Sequence, residues 1–113
     1  MILPLTQTLD LPLSIDTVER DGSLALVVQG ELDIATSPLL DEALTRARAT
    51  DAASIVVDLL AVTFIDSTAL HVLIRHAGTA SGRARVLLTK GSPQTQRVFE
   101  LSGVLESLPF VSD

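Results

Sequence analysis

The spacing of apolar residues changes near the middle of the chain, and this change predicts a strand followed by a helix. Residues 55–59 are mostly β-branched and apolar, and the run is short enough to be a buried strand. A second apolar patch at 62–65 leads to Asp66, Ser67 and Thr68. Four apolar residues then repeat at helical intervals: Leu70, Leu73, Ile74 and Ala77. A strand therefore delivers the Ser67 hydroxyl to a helix start, where backbone N–H groups lack partners.

Two further strands are predicted before this segment, and they can pair as a hairpin. Apolar and polar residues alternate along 13–18, and a more continuously apolar run covers 24–29. The Arg-Asp-Gly-Ser sequence at 20–23 is typical of a turn between two strands.

A helix is predicted between this hairpin and the central strand. Thr36 or Ser37 provides its N-cap, and Pro38 suits its first position. Asp41 and Glu42 complement the helix dipole. The predicted buried stripe of this helix consists of Leu40, Ala43, Leu44 and Ala47.

A third helix is predicted near the end of the chain. Ser92 caps it, Pro93 starts it and Gly103 ends it. Its predicted apolar contacts are Val98, Phe99 and Leu101.

The remaining segments complete an alternation of strands and helices. Gly78 and Gly82 mark where the central helix can end, residues 85–89 form a buried strand, and residues 108–111 form a terminal edge strand. The order β-β-α-β-α-β-α-β implies an α/β fold, with a mixed sheet that has a parallel core and crossover helices.

Length and composition predict one cytoplasmic domain. Residues 1–12 contain Pro4 and Pro12 and are predicted to form an N-terminal arm or an edge strand, leaving 13–113 as the domain. The first residues lack the basic region of a signal peptide, and no apolar run approaches the length of a membrane span. Membrane insertion is therefore not expected.

Composition also excludes several classes of function. Aromatic residues make up only 3% of the chain, so the core must be aliphatic, with Phe64, Phe99 and Phe110 as its large members. The net charge of −6 disfavours direct binding to nucleic acid. Cysteine is absent, which removes disulfides, thiolate metal sites and thiol nucleophiles.

Ser67 has several interpretations from the residues alone. The simplest is a helix N-cap. A hydrolase using Ser67, His71 and Asp66 is disfavoured because no Gly-x-Ser-x-Gly elbow surrounds the serine. No metal site is predicted, since His71 and His76 are five residues apart and do not share a helix face. No cofactor motif is present either, and we expect no enzyme.

Three segments of the chain carry a resemblance to a known family. They are 30–33 (Gly-Glu-Leu-Asp), 55–70 with its Asp-Ser-Thr sequence at 66–68, and 97–105. In order and spacing they resemble the STAS family, and within it the small bacterial anti-sigma factor antagonists. The resemblance covers most of residues 13–111 and implies a single STAS-like domain.

The resemblance also implies a mechanism. The serine after the aspartate, here Ser67, is phosphorylated by an anti-sigma factor that is also a serine kinase, and Thr68 is the runner-up acceptor. The unphosphorylated antagonist binds that anti-sigma factor and frees the sigma factor, and a protein phosphatase resets it. The implied partner surface includes Asp33, Asp66, Ser67, Thr68 and His71.

Two residues that depart from the family pattern keep an alternative open. The family commonly has glycines where this chain has Ala69 and His71. His71 is bulkier than glycine, so it can change which kinase recognises the Ser67 surface. The alternative is a STAS adaptor subunit of a lipid-transport ATPase or a stress-signalling complex, with no phosphorylation switch.

Overall fold

The computed structural model confirms the predicted α/β arrangement for the residues that it describes, 12–77, 85–104 and 108–111. Its strands are β1 (Leu13–Arg20), β2 (Ser23–Leu32), β3 (Ser54–Ile65) and β4 (Val86–Leu88). Its helices are α1 (Ser37–Arg48), α2 (Ser67–Ala77) and α3 (Pro93–Ser102).

The predicted hairpin joins β1 to β2. The two strands pair antiparallel along all eight residues of β1, ending with Arg20 opposite Ser23. Only Asp21 and Gly22 lie between them, with φ angles of 53° and 81°. Positive φ at both positions is typical of a two-residue type I′ turn, whose twist matches that of the flanking strands.

The rest of the sheet is parallel, as the alternation of strands and helices predicts. The strand order is β1-β2-β3-β4, and β3 pairs parallel with both β2 and β4. Each parallel step needs a crossover, which α1 and α2 provide. Within the predicted edge strand at 108–111, the structure has one isolated parallel bridge, between Phe110 and Leu88.

β3 unites two apolar patches that the sequence separates. Residues 55–59 and 62–65 belong to one strand of 12 residues. Its register with β2 shifts between Val27 and Gln29, and again between Gly30 and Glu31. Each shift places an additional β3 residue against β2, as in a β-bulge, and bulges often re-aim a strand end beside a functional site.

The core lies between one face of the sheet and the helices. Ile55, Val57 and Leu59 are fully buried, while the residues between them are only half-buried. The four residues predicted to be buried in α1 are all buried. Phe99 is also fully buried, and its ring meets that of Phe110 edge-on with centroids 5.3 Å apart.

Two residues predicted for the core are instead exposed. Phe64 is 51% exposed because it alternates with Ile65, which occupies the buried side of β3. Leu101 is 76% exposed because it lies two residues after Phe99, and such residues point to different sides of a helix.

The ends of α3 match their prediction. The Ser92 side chain accepts a hydrogen bond from the Thr95 N–H, Pro93 begins the helix, and Gly103 ends it with φ 74°. Gly78, Gly82 and residues 1–11 of the predicted arm lie outside the described residues. Within the described residues, no helix is long and apolar enough to cross a membrane.

Candidate functional site

The site is built where two parallel strands end side by side. Leu32 ends β2 and pairs with Ile65, which ends β3. The next residue after β3, Asp66, donates its backbone N–H to the carbonyl oxygen of Leu32 at 3.1 Å. Asp33 and Asp66 therefore leave adjacent strand ends at the same edge of the sheet, which brings together two segments 33 residues apart in sequence.

Asp66 caps the helix that carries Ser67. Its Oδ1 accepts a hydrogen bond from the Ala69 N–H at 3.1 Å, and its carbonyl oxygen accepts one from the Leu70 N–H at 3.1 Å. This is the arrangement of a side-chain N-cap, which satisfies a backbone donor that the helix cannot pair. Capping by Ser67, the simplest interpretation of that residue, is thus not the arrangement observed.

Ser67 is the first residue of α2 and is exposed. Its hydroxyl forms no hydrogen bond to any residue that the structure describes. Thr68 beside it is half-buried, and His71 is exposed one helical turn further on. Because residues i and i+4 lie on one face of a helix, Ser67 and His71 belong to the same exposed surface.

Asp33 organises the loop that leads into α1. Its Oδ1 accepts hydrogen bonds from the N–H groups of Ala35 and Thr36, both at 3.0 Å. The Thr36 hydroxyl donates to the Glu31 carbonyl oxygen at 2.7 Å and also accepts from the Asp33 N–H at 2.9 Å. Thr36 occupies the predicted N-cap position of α1, but its side chain does not cap the helix because these loop bonds engage it.

Gly30 lets β2 lie very close to Pro12, the residue before β1. The Glu31 N–H donates to the Pro12 carbonyl oxygen at 2.7 Å, and Gly30 itself has φ 112°. A Cβ at Gly30 would lie 2.0 Å from that same oxygen, so a side chain cannot fit there. This close approach holds the segment that leads to Asp33.

Apolar side chains are also exposed at this edge. Ile34, next to Asp33, is 74% exposed, and Phe64 lies three residues before Ser67 in sequence and pairs with Glu31. Exposed apolar groups beside polar ones are typical of protein-binding surfaces.

Within the described residues, Ser67, His71 and Asp66 are not linked to one another as the members of a catalytic triad are. Asp66 uses Oδ1 to cap α2, and no hydrogen bond joins Ser67 to His71 within the described part of the chain. A nucleophilic serine needs a base within hydrogen-bond reach and a third group that orients it. Asp58 also has a structural contact, since its Oδ1 accepts from the Leu60 N–H at 3.0 Å.

Sequence reasoning missed a polar cluster that ties α2 to α1. His76 is buried, and its Nε2 lies 2.6 Å from Oδ1 of Asp41. Arg48 donates to Nδ1 of His76 at 3.1 Å, which leaves the imidazole proton on Nε2. Arg75 reaches the second oxygen of Asp41 at 2.9 Å. The sequence does contain a signal for this cluster, because His76 is a polar residue three positions after Leu73 and so lies on the apolar stripe of the helix.

The environment of Asp41 perturbs its ionisation. The hydrogen bond from His76 lowers the pKa of the Asp41 carboxyl below its ordinary value of 3.8. Burial opposes this effect, and the Arg75 guanidinium adds to it. The cluster thus favours the charged carboxylate and fixes the last turn of the helix that begins at Ser67.

The regions that match known proteins cover nearly the whole domain. The model of the STAS domain family matches residues 14–113. Anti-sigma-B factor antagonists of Staphylococcus aureus are 33% identical over 93 residues, which is 81% of this chain and 86% of theirs.

Solved structures share the same fold. An anti-sigma factor antagonist from Mycobacterium paratuberculosis has a TM-score of 0.78 and 26% identity, covering 89% of this chain and 86% of that one. The unphosphorylated form of the anti-sigma factor antagonist SpoIIAA has a TM-score of 0.65 and 19% identity, covering 89% of both chains. With its match to the family model and its S. aureus relatives, this chain belongs to the STAS domain family.

Proposed function

We propose that this protein is an anti-sigma factor antagonist whose binding is controlled by phosphorylation of Ser67. The unphosphorylated form binds an anti-sigma factor that is also a serine kinase, and the sigma factor is released. The phosphorylated form does not bind, and a protein phosphatase restores the first state. The relatives named anti-sigma-B factor antagonists support the antagonist function, and the environment of Ser67 supports its control by phosphorylation.

The observation that carries the proposal is the free, exposed hydroxyl at the start of α2. A kinase must reach its acceptor oxygen, and Ser67 is exposed with no hydrogen-bond partner among the described residues. Because Asp66 caps the helix, α2 does not need the Ser67 hydroxyl for its own stability. Ser67 can therefore be modified without removing a hydrogen bond to any part of the chain that the structure describes.

The fold is expected to tolerate a phosphate at this position. A phosphoserine carries about −1.5 to −2 charge at neutral pH, and a helix N-terminus favours anions because its backbone N–H groups are unpaired. An exposed side chain also leaves the phosphate in water, so no desolvation cost arises. The modification then acts on binding and not on folding.

Docking to a partner is far more sensitive to that charge. Asp33, Asp66 and Glu31 already make this edge acidic, and a phosphate adds to them. Like charges 4 Å apart repel by about 4 kcal/mol at an effective dielectric of 20. Reversing a binding equilibrium from 99:1 to 1:99 takes about 5.5 kcal/mol, so one or two acidic groups on the partner are sufficient.

The proposed contact surface combines both strand ends. It contains five polar residues: Asp33, Asp66, Ser67, Thr68 and His71. Thr68 is half-buried, which makes it a poorer kinase acceptor than the exposed Ser67.

The test is a binding and release assay with a candidate anti-sigma factor kinase and its sigma factor. Wild type and Ser67→Ala are expected to bind the anti-sigma factor and release the sigma factor. Ser67→Glu and the phosphorylated protein are expected to bind at least tenfold more weakly. Incubation with ATP should add one phosphate to wild type and to Thr68→Ala, and none to Ser67→Ala, as measured by intact mass.

The adaptor alternative predicts a different result. A STAS adaptor subunit of a transport or stress-signalling complex would bind its partner equally well in all Ser67 forms. Equal binding by wild type, Ser67→Ala and Ser67→Glu would therefore contradict the switch. Phosphorylation of Thr68 with Ser67 unmodified would contradict the assignment of the acceptor.

A further inference from the structure

The sheet has a second face that does not contribute to the core. Leu26, Val57 and Leu88 are buried in the core, on the face of the sheet that packs against the helices. Because side chains alternate along a strand, the neighbouring residues of each strand lie on the opposite face. Of these outward residues, Val18 is 42% exposed, and Ala25 is half-buried. Among the described residues, the core cluster includes none of the outward-facing valines of β1, β2 and β3.

Four apolar side chains on this face form one straight row across the sheet. Val18 pairs with Ala25, Ala25 pairs with Val56, and Val56 pairs with Leu87. Paired residues on neighbouring strands lie about 5 Å apart, so the row spans all four strands. A groove of about 520 Å³ lies along it, with Val18, Ala25, Val27 and Val56 in its lining.

Charged residues flank this row with opposite signs on its two sides. The row on one side lies two residues along the strands from the apolar row, and there Arg20 pairs with Ser23 and Ser23 pairs with Ser54. The row on the other side also lies two residues from the apolar row, and there Asp16 pairs with Val27 and Val27 pairs with Asp58. Each flanking row lies about 7 Å from the apolar row.

We propose that this face binds a second copy of this chain, in a symmetric dimer whose two-fold axis lies between the two sheets and parallel to the apolar row. Rotation about that axis reverses the direction of the strands and keeps each strand opposite itself. Arg20 of one copy then lies over Asp16 of the other, and the reverse pair forms as well. The apolar row meets its own copy, so the face is self-complementary, as a two-fold interface requires.

The charged residues on this face favour one orientation of the two copies over another. A two-fold axis along the strands, passing through β2, would place Asp16 of one copy opposite Asp58 of the other. Like charges opposite one another oppose association, whereas the axis parallel to the apolar row pairs acid with base. Stacked sheets lie about 10 Å apart, a distance that the long Arg20 side chain can span.

The dimer face is separate from the site around Ser67. Val56 is near the start of β3 and Ser67 follows its end, about 30 Å away along the strand. Both α2 helices therefore stay accessible in the dimer, and the inference goes beyond the proposed function.

The test is the mass in solution of the full chain over a dilution series, by analytical ultracentrifugation. Wild type is expected to approach twice its 12.0 kDa chain mass as concentration rises. Arg20→Glu replaces two attractions with two repulsions and should weaken dimerisation about tenfold. The double variant Asp16→Arg with Arg20→Glu restores opposite charges and should recover the dimer.

The control is Arg46→Glu, which makes the same charge change on the exposed side of α1 and should leave the dimer unchanged. Circular dichroism should show that all these surface variants are folded. A wild type that stays monomeric throughout the dilution series would overturn the proposal. A dimer that is unaffected by Arg20→Glu, or not restored by the double variant, would overturn it too.

Discussion

His76 and Asp41 join the two crossover helices through a hydrogen bond of 2.6 Å between Nε2 and Oδ1. The bond connects the last turn of α2 to the second turn of α1. It therefore holds in place the helix whose first residue is the proposed phosphorylation site. Breaking the bond is costly for His76, because the buried ring would lose its hydrogen bond away from water, whereas the Asp41 side chain is 40% exposed.

The first prediction concerns the pH dependence of stability. Because the folded-state pKa of Asp41 lies below its ordinary value of 3.8, its carboxylate stabilises the fold above that pH. This contribution is lost as the pH falls through the folded-state pKa. Asp41→Asn should lower the free energy of unfolding at neutral pH, and its difference from wild type should shrink in acid.

Urea unfolding at a series of pH values measures this difference. Glu42→Gln is the matched control, since Glu42 is exposed and its contact with Arg46 at 3.5 Å is a surface pair. A difference between wild type and Asp41→Asn that does not change with pH would contradict the role of the charge.

The second prediction separates Asp66 from Ser67. Asp66→Ala removes the cap of α2 and should lower the free energy of unfolding by about 1 kcal/mol. Ser67→Ala should change it by less than about 0.5 kcal/mol, because the hydroxyl is exposed and has no hydrogen-bond partner among the described residues. Asp66→Asn keeps an oxygen acceptor and should retain most of the cap. Thermal and urea unfolding would show the contrast, and equal losses at the two positions would refute it.

The third prediction concerns Gly30. Gly30→Ala combines a positive φ with a clash against the Pro12 carbonyl oxygen, and it should destabilise the protein by about 3 kcal/mol or more. Gly22→Ala is the control, since Gly22 has φ 81° but no atom within 4 Å of an added Cβ. It should cost about 1 kcal/mol. Similar unfolding free energies for the two variants would show that the clash is relieved.

The fourth prediction uses two phenylalanines with opposite exposure. Phe99 is fully buried against Phe110, so Phe99→Ala should cost about 3–5 kcal/mol through the cavity that it leaves. Phe64 is half-exposed, and Phe64→Ala should cost less than about 1.5 kcal/mol. Urea denaturation of both variants tests this, and a large loss at Phe64 would reveal a core role that its exposure does not indicate.

Turn and capping residues in the sequence correctly predicted the turn of the hairpin and the ends of α3. Asp21 and Gly22 form the tight hairpin turn, and Ser92, Pro93 and Gly103 delimit α3 as predicted. These outcomes depend on φ preferences and capping within a few residues. The same chemistry could not rank Asp66 against Ser67 as the cap of α2, because both carry a suitable oxygen.

The sequence by itself determined the order of the elements, the parallel core and the position of Ser67 at a helix start, because these follow from apolar periodicity and capping chemistry. Only the tertiary structure decided that Asp33 lies beside Asp66, that His76 contacts Asp41, and that Phe64 and Leu101 are exposed. Strand register and helix rotation set these relations, and both depend on packing between segments distant in the chain. The apolar row from Val18 to Leu87 has the same origin, since cross-strand pairing alone aligns its four residues.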